Sequence, residues 1–303
     1  MRVFVTGATG FIGSVLVQEL LKAGHQVLGL TPSDSGAKSL AVAGAEVHRG
    51  SLEDLDSLRT GAAVSDGVIH LAFNHDAFSN DFSKFVANCE TDRQVIEAIG
   101  SVLAGSDRPF IVTSGTGLAN TVPGQAAFED NPIINSSVHP RAASEEAAAS
   151  LAARGVNVSV VRLPQVHDPV KQGLITYVVA VAREKGVSPY VGEGLNRWPA
   201  AHVHDTARLY RLALEKNDAV AKYHAVAEEG VPLRDIAEVI GRGLKVPVVS
   251  MSPEEAAAHF GWLAMFADRD VPASSAQTQK RLGWHPTGPG MIDDLEQVTY
   301  FAS

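Results

Sequence analysis

The sequence of 303 residues has a single cysteine, Cys89, so no disulfide can form within the chain, and the composition fits a reducing cytoplasm. No stretch reaches the ~18 consecutive apolar residues of a membrane-spanning helix. No run of basic residues occurs. The formal charge is −9, from 25 Lys and Arg against 34 Asp and Glu, which argues against nucleic acid or an anionic membrane as partner. No apolar leader follows a basic N-terminal segment, because the first apolar run already reads as a strand. Internal repeats are absent, and alanine-rich helices are the sole compositional bias. One further absence is local. No tyrosine lies between Ser114 and Tyr177, and no lysine between Lys84 and Lys171. What remains is an ordinary globular composition, 45% hydrophobic with 27 glycines, long enough for one large α/β body and an added lobe.

The most informative segment is Thr6-Gly7-Ala8-Thr9-Gly10-Phe11-Ile12-Gly13, which follows the apolar run Val3-Phe4-Val5. A helical pattern then places Val15, Leu16, Leu20 and Leu21 on one face and stops at Gly24. Strand, glycine turn and helix in this order form a dinucleotide cradle. Gly7 permits the turn, Gly10 admits a pyrophosphate to the backbone, and Gly13 lets helix and strand pack closely. The unpaired amides of the helix N-terminus would face the phosphates.

Further strands are expected at Gln26–Leu30, Glu46–Arg49, Gly67–Leu71, Phe110–Ser114 and Asn157–Arg162, with helical stretches such as Arg93–Leu103 and Ala142–Ala153 between them. Alternation of this kind predicts an α/β fold, a Rossmann-type doubly wound parallel sheet with helices on both faces. After Pro164, prolines and glycines punctuate shorter elements. Tyr223–Val226 reads as a return strand, and amphipathic helices follow at Pro232–Gly241 and Pro253–Phe260. The expected division is a dinucleotide-binding domain over residues 1–165, completed by a return strand near 222–226. A smaller, interleaved substrate lobe takes most of 166–303.

Several segments in order resemble the extended, epimerase/dehydratase branch of the short-chain dehydrogenase/reductase family. They are the Gly-x-x-Gly-x-x-Gly turn with Phe11 and Ile12, Val68-Ile69-His70-Leu71-Ala72, Asn88-Cys89-Glu90-Thr91, Val112-Thr113-Ser114, Arg162-Leu163-Pro164 and Trp198 through Asp205. The resemblance implies an NAD(P)-dependent oxidoreductase. It implies cofactor contacts from Gly7, Thr9, Gly10, Phe11, Ile12, Gly13, Ser33, Lys38, Ser51, Leu52, Leu71, Ala72, Phe73, Asn88, Thr113, Leu163, Pro164 and Val166, and an active-site serine at Ser114. An acidic residue at the end of the second strand would mark NAD, but Leu30-Thr31-Pro32-Ser33 has no carboxylate before Asp34. NADP is therefore the expected cofactor, with Lys38 facing its 2′-phosphate, and NAD is the alternative. Ser51 reads either as an adenine contact or as the N-cap of a helix, with Asp54 three residues on.

The departure from the family lies in its Tyr-x-x-x-Lys pair, whose tyrosine donates the proton and whose lysine lowers the tyrosine pKa. Here the segment reads Arg141-Ala142-Ala143-Ser144-Glu145, so Arg141 takes the tyrosine position and Glu145 the lysine position. Arginine stays protonated and is a poor proton donor, but it can stabilise a developing anion. Glu145 either holds Arg141 or, like it, lies on a solvated helix face. Substitute polar groups near the crevice are His75, Thr116 and His167 from strand ends, with Tyr190, Trp198 and His202 from the second lobe. These are the expected substrate-side residues. His202-Val203-His204-Asp205 would put two imidazoles on one strand face, with Asp205 as the N-cap of the next helix, but too few ligands converge for a metal. Trp262 and Trp284 read as core. The reading is an NADP(H)-preferring oxidoreductase for a small or medium carbonyl or alcohol. A non-redox lyase or isomerase and an NADP-sensing regulator are the alternatives. Its partners are a small-molecule substrate and, as an option, a second copy in a homodimer.

Overall fold

A computed structural model of the chain describes residues 1–74, 82–298 and 301. The strands are β1 (Arg2–Thr6), β2 (Gln26–Thr31), β3 (Glu46–Arg49), β4 (Gly67–His70), β5 (Phe110–Gly115), β6 (Val158–Leu163), β7 (Gln165–His167), β8 (Ser188–Val191), β9 (Arg197–His202), β10 (Lys222–His224), β11 (Glu228–Pro232) and β12 (Val248–Met251). The helices are α1 (Phe11–Lys22), α2 (Asp34–Ala43), α3 (Leu55–Ala63), α4 (Phe82–Leu103), α5 (Ala143–Ala153), α6 (Ile175–Lys185), α7 (Val203–Lys216), α8 (Leu233–Leu244), α9 (Pro253–Phe260), α10 (Ala264–Ala267), α11 (Ala276–Leu282) and α12 (Met291–Glu296).

Seven strands form one sheet in the order β10-β6-β5-β4-β1-β2-β3, with every neighbouring pair parallel. Alternation along β1 explains its two covers. Val3 and Val5 join the apolar layer containing Leu16, Leu20 and Tyr210, whereas Phe4 enters the opposite layer with Leu58, Ile96 and Leu151. Burial on both faces is what makes these strands continuously apolar. This is the expected Rossmann-type sheet, and strand β10 returns to its edge from the second half of the chain. That half also builds a three-stranded sheet, β11-β9-β7, and the pair β12-β8, around a third apolar cluster containing Trp198, Ile236 and Phe260.

Helix α4 begins 11 residues before the expected stretch at Arg93, because Phe85, Cys89, Asp92, Val95, Ile96 and Ile99 keep a helical spacing of buried positions. Ser51 does not cap α3. Asp54 does, accepting from the Ser57 amide at 3.0 Å. Asp205 is not an N-cap either. His202 caps α7, and the Asp205 carboxylate accepts from the amides of Thr287 and Gly288. His204 lies in α7 rather than on a strand with His202, although the two rings stack with centroids 5.3 Å apart.

A buried polar junction ties the return strand to the sheet. Arg162 on β6 is fully buried and donates from Nε and Nη2 to the two oxygens of Glu145 on α5, both at 2.9 Å. Its Nη1 faces His224 Nε2 at 3.3 Å, while His224 Nδ1 pairs with the Ser274 carbonyl. Burial and the neighbouring Arg162 push His224 down to about 3, so the imidazole stays neutral and can serve both bonds. Thr278 on α11 completes the junction by donating to Glu129. Glu145 is thus committed to Arg162, not to Arg141. Replacing Arg162 alone with Met would strand the Glu145 carboxylate. We expect a loss of about 3–5 kcal/mol in urea unfolding, most of it recovered in Arg162→Met/Glu145→Leu. An unchanged midpoint in the single variant would contradict this account of the junction.

Candidate functional site

The glycine turn leaves β1 through Gly7, at φ +69°, where an added Cβ would come within 2.8 Å of the Ala72 amide nitrogen. That close approach brings the β4–α4 connection, Leu71-Ala72-Phe73, against the cradle. A Cβ on Gly13 would lie 1.9 Å from the Gly7 carbonyl oxygen, so only glycine lets α1 pack here. Gly10 differs. Its Cβ would meet the Gly7 oxygen alone, at 3.2 Å, and its outer side is open. Gly10 is the N-cap of α1, with no side-chain cap and no acidic residue in the first turn. Thr9 and Gly10 are exposed, and Phe11 and Ile12 are half-buried. A pyrophosphate fits this cradle: no side chain caps the first turn of α1, no carboxylate stands in it, and the outer side of Gly10 is open.

Beyond the end of β2, Ser33 caps α2 by accepting from the Gly36 amide at 3.0 Å. Lys38 is exposed on the second turn of α2. The cation placed against the end of β2 is Arg49, which donates to the Ser33 carbonyl and pairs with Asp34 at 2.7 Å. Leu52, Phe73 and Asn88 line one cleft together with Asn74, Thr91 and Asp92, and Asn88 Nδ2 donates to the Asn74 carbonyl. Ser51 is half-buried beside Leu52. Leu163 and Pro164 are half-buried and Val166 is buried, while Thr116 Oγ1 donates to the Leu163 carbonyl at 3.3 Å.

Between these ends runs a chain of polar groups that the sequence alone did not expose. Thr6 Oγ1 accepts from the Ala72 amide and bonds His70 Nδ1 at 2.7 Å, and His70 Nε2 bonds Asp92 Oδ1 at 2.9 Å. The other oxygen of Asp92 takes Arg141 Nη1 at 2.8 Å and the Ser144 hydroxyl. Arg141 Nη1 also meets Ser144, Nη2 donates to the Thr113 carbonyl at 3.1 Å, and the guanidinium lies over the Phe73 ring, 4.3 Å from its centroid. Arg141 is therefore no solvated helix residue: its side chain is 17% exposed. Thr113 Oγ1 donates to the His70 carbonyl and bonds the buried Tyr210 hydroxyl.

Asp92 is almost fully buried, which by itself would raise its pKa. Arg141, then His70 and Ser144, outweigh that and hold the carboxyl below the usual carboxylate range. Burial pushes the neighbouring Cys89 thiol up to about 12, so this cysteine is an apolar core group rather than a nucleophile. Ser114, at 4% exposure, has a buried hydroxyl with no hydrogen-bond partner among the described residues, one residue beyond the carbonyl that Arg141 grips. An orphaned buried hydroxyl at a strand end marks where a further polar group fits.

The remaining expected residues separate. His75 lies outside the described residues. His167 and His202 end the paired strands β7 and β9 and gather at Asp294, His167 Nδ1 at 2.7 Å and His202 Nε2 at 3.7 Å. Burial lowers the His202 pKa, partly offset by Asp294. Among the described residues no group of three His, Cys, Asp or Glu side chains is arranged to hold a metal ion. Trp198 and Tyr190 do not face the crevice with Ser114. They line an apolar pocket inside the second lobe with Val178, Leu233, Ile236 and Phe260, and Trp198 is buried in that lobe's core. Trp284 is core, and Trp262 packs half-buried against Tyr177.

Comparison with known proteins bears on this geometry. A sequence model described as the NAD dependent epimerase/dehydratase family matches residues 3–227. The chain is 47% identical over 302 residues to an uncharacterized protein of Schizosaccharomyces pombe, covering 99% of this chain and 100% of that one. It is 44% identical to an uncharacterized protein of Saccharomyces cerevisiae, covering 97% and 98%. The fold is also that of the UDP-glucose 4-epimerase of Thermus thermophilus in complex with NAD. The TM-score is 0.76 at 19% identity, with 100% of this chain and 99% of that one covered. Among the described residues no helix is long and apolar enough to cross a membrane.

The Asp92 network has a pH signature. In the unfolded chain this carboxyl titrates near ~4. In the folded protein its pKa is lower, so its stabilisation is complete above the unfolded value and is lost as pH falls through ~4 toward the folded one. Urea midpoints measured from pH 7 to pH 3 should fall less steeply in Asp92→Asn than in the wild type. Parallel slopes would contradict the assignment.

Proposed function

Since the chain belongs to the NAD dependent epimerase/dehydratase family, we propose that it is an NADP(H)-preferring oxidoreductase acting on a small or medium carbonyl or alcohol. The observation that carries this reading is the orphaned Ser114 hydroxyl, buried at the end of β5 one residue beyond the carbonyl to which Arg141 donates. The nicotinamide, when bound, supplies hydride chemistry. Ser114 donates a hydrogen bond to the substrate oxygen and orients it. Arg141, a permanent cation fixed by Asp92, Thr113 and Phe73, stabilises negative charge developing on that oxygen without giving up a proton, and the proton that completes the alcohol comes from solvent water. The open side of Gly10 and the first turn of α1 hold the pyrophosphate, and Leu52, Phe73 and Asn88 wall the adenosine side. In this reading residues 1–165 with β10 form the nucleotide-binding part, residues 166–303 mainly bind substrate, and the protein works in the cytoplasm.

A second reading draws on the same arginine. Arg141 is already neutralised by a buried carboxylate, which also suits a non-redox lyase or isomerase, or a protein that senses NADP without turning it over. The absorbance of reduced nicotinamide, followed with NADPH across a panel of aldehydes and ketones, separates these. Oxidation of NADPH with at least one carbonyl is expected. Tight NADPH binding without consumption across the panel would contradict the oxidoreductase and favour the sensor. Gly10→Val serves as the control, since a branched side chain fills the open side of the cradle. It should abolish NADPH binding in calorimetry while leaving the thermal midpoint nearly unchanged.

A further inference from the structure

Arg49 and Asp34 form an exposed pair at the one place where the two nicotinamide dinucleotides differ. Arg49 ends β3 and pairs in register with Thr31, the last residue of β2. One guanidinium nitrogen donates to the Ser33 carbonyl and another to Asp34 Oδ1 at 2.7 Å. The Arg49 side chain is 49% exposed and that of Asp34 fully exposed, so this pair is worth little as a stabilising contact. In doubly wound folds the adenosine ribose of a bound dinucleotide lies just beyond the end of β2. Lys38 lies exposed one turn further into α2.

We infer that Arg49 is the group that selects for the 2′-phosphate, and that Asp34 is its built-in competitor, displaced when that phosphate arrives. The inference rests on the NADP reading above. A 2′-phosphate carries about −1.5 to −2 charges at neutral pH and presents oxygens that match the planar fork of arginine. It therefore outcompetes a single, solvent-exposed carboxylate for Arg49. The ribose 2′-hydroxyl of NAD carries no charge and cannot. Anchored on the Ser33 carbonyl, the guanidinium is already aimed at the strand end, so little side-chain freedom is lost on binding. Pro32, which offers neither charge nor an amide donor at this turn, leaves the selection to Arg49.

The two residues make opposite predictions, and the test is equilibrium binding of NADP+ and NAD+ to the intact protein by calorimetry. Arg49→Gln should weaken NADP+ by about tenfold or more and leave NAD+ within about twofold, as expected for loss of a charged hydrogen bond. Asp34→Asn should tighten NADP+ several-fold with NAD+ unchanged. Because the pair is exposed, both variants should keep the wild-type thermal midpoint. If the wild type prefers NADP+ but Arg49→Gln leaves that preference intact, the role of Arg49 is overturned and the NADP reading stands. If the wild type prefers NAD+ and Asp34→Asn weakens it, Asp34 is a ribose ligand and both fall.

Discussion

One buried carboxylate organises the crevice. Asp92 sits almost fully buried on α4, so its charge is tolerable only because Arg141, His70 and Ser144 surround it. Those three groups come from a 3-10 turn, a central strand and the following helix, and Thr6 extends the chain to β1. The same carboxylate thus joins the glycine turn, the β4–α4 connection and the Arg141–Ser144 segment that opens α5. Arg141 then passes the constraint on, to the backbone before Ser114 and to Phe73 at the cleft.

The two charges Arg141 and Glu145 are compensated separately. Arg141 and Glu145 are spaced four apart and carry opposite charges, which invites pairing along the helix. Pro140–Ala142 instead forms a 3-10 turn before α5, and each side chain turns to its own buried counter-ion, Asp92 for Arg141 and Arg162 for Glu145. Each charge is compensated locally. What the segment offers the crevice is a fixed positive charge that grips the backbone one residue before the unpartnered Ser114 hydroxyl.

The sheet was legible because its strands are buried on both faces and its helices on one, patterns that residue spacing carries directly. The strands Arg2–Thr6 and Glu46–Arg49 end where their apolar and turn residues say they should. The glycine cradle was legible for a steric reason, since at Gly7 and Gly13 any side chain would strike backbone. Partner choice was not legible. Asp92 looks like one more polar residue on a helix, and nothing in its neighbours reveals His70, 22 residues away, or Arg141, 49 residues away. Arg49 was hidden likewise, because only strand pairing brings it to the end of β2. Trp198 misled in the opposite direction. Its place beside Arg197 suggested a cleft, but alternation on β9 turns the indole into the core of the second lobe.

The central claim is that Asp92 and Arg141 act as one unit. A double-mutant cycle on unfolding free energy, with Asp92→Asn, Arg141→Gln and the pair, measures this without knowledge of the substrate. Residues joined in one buried network show coupling of about 0.5–3 kcal/mol, and the account predicts a value in the upper half of that range. Additivity of the two losses to within ~0.3 kcal/mol would contradict it, because Arg141 would then be held by something other than Asp92.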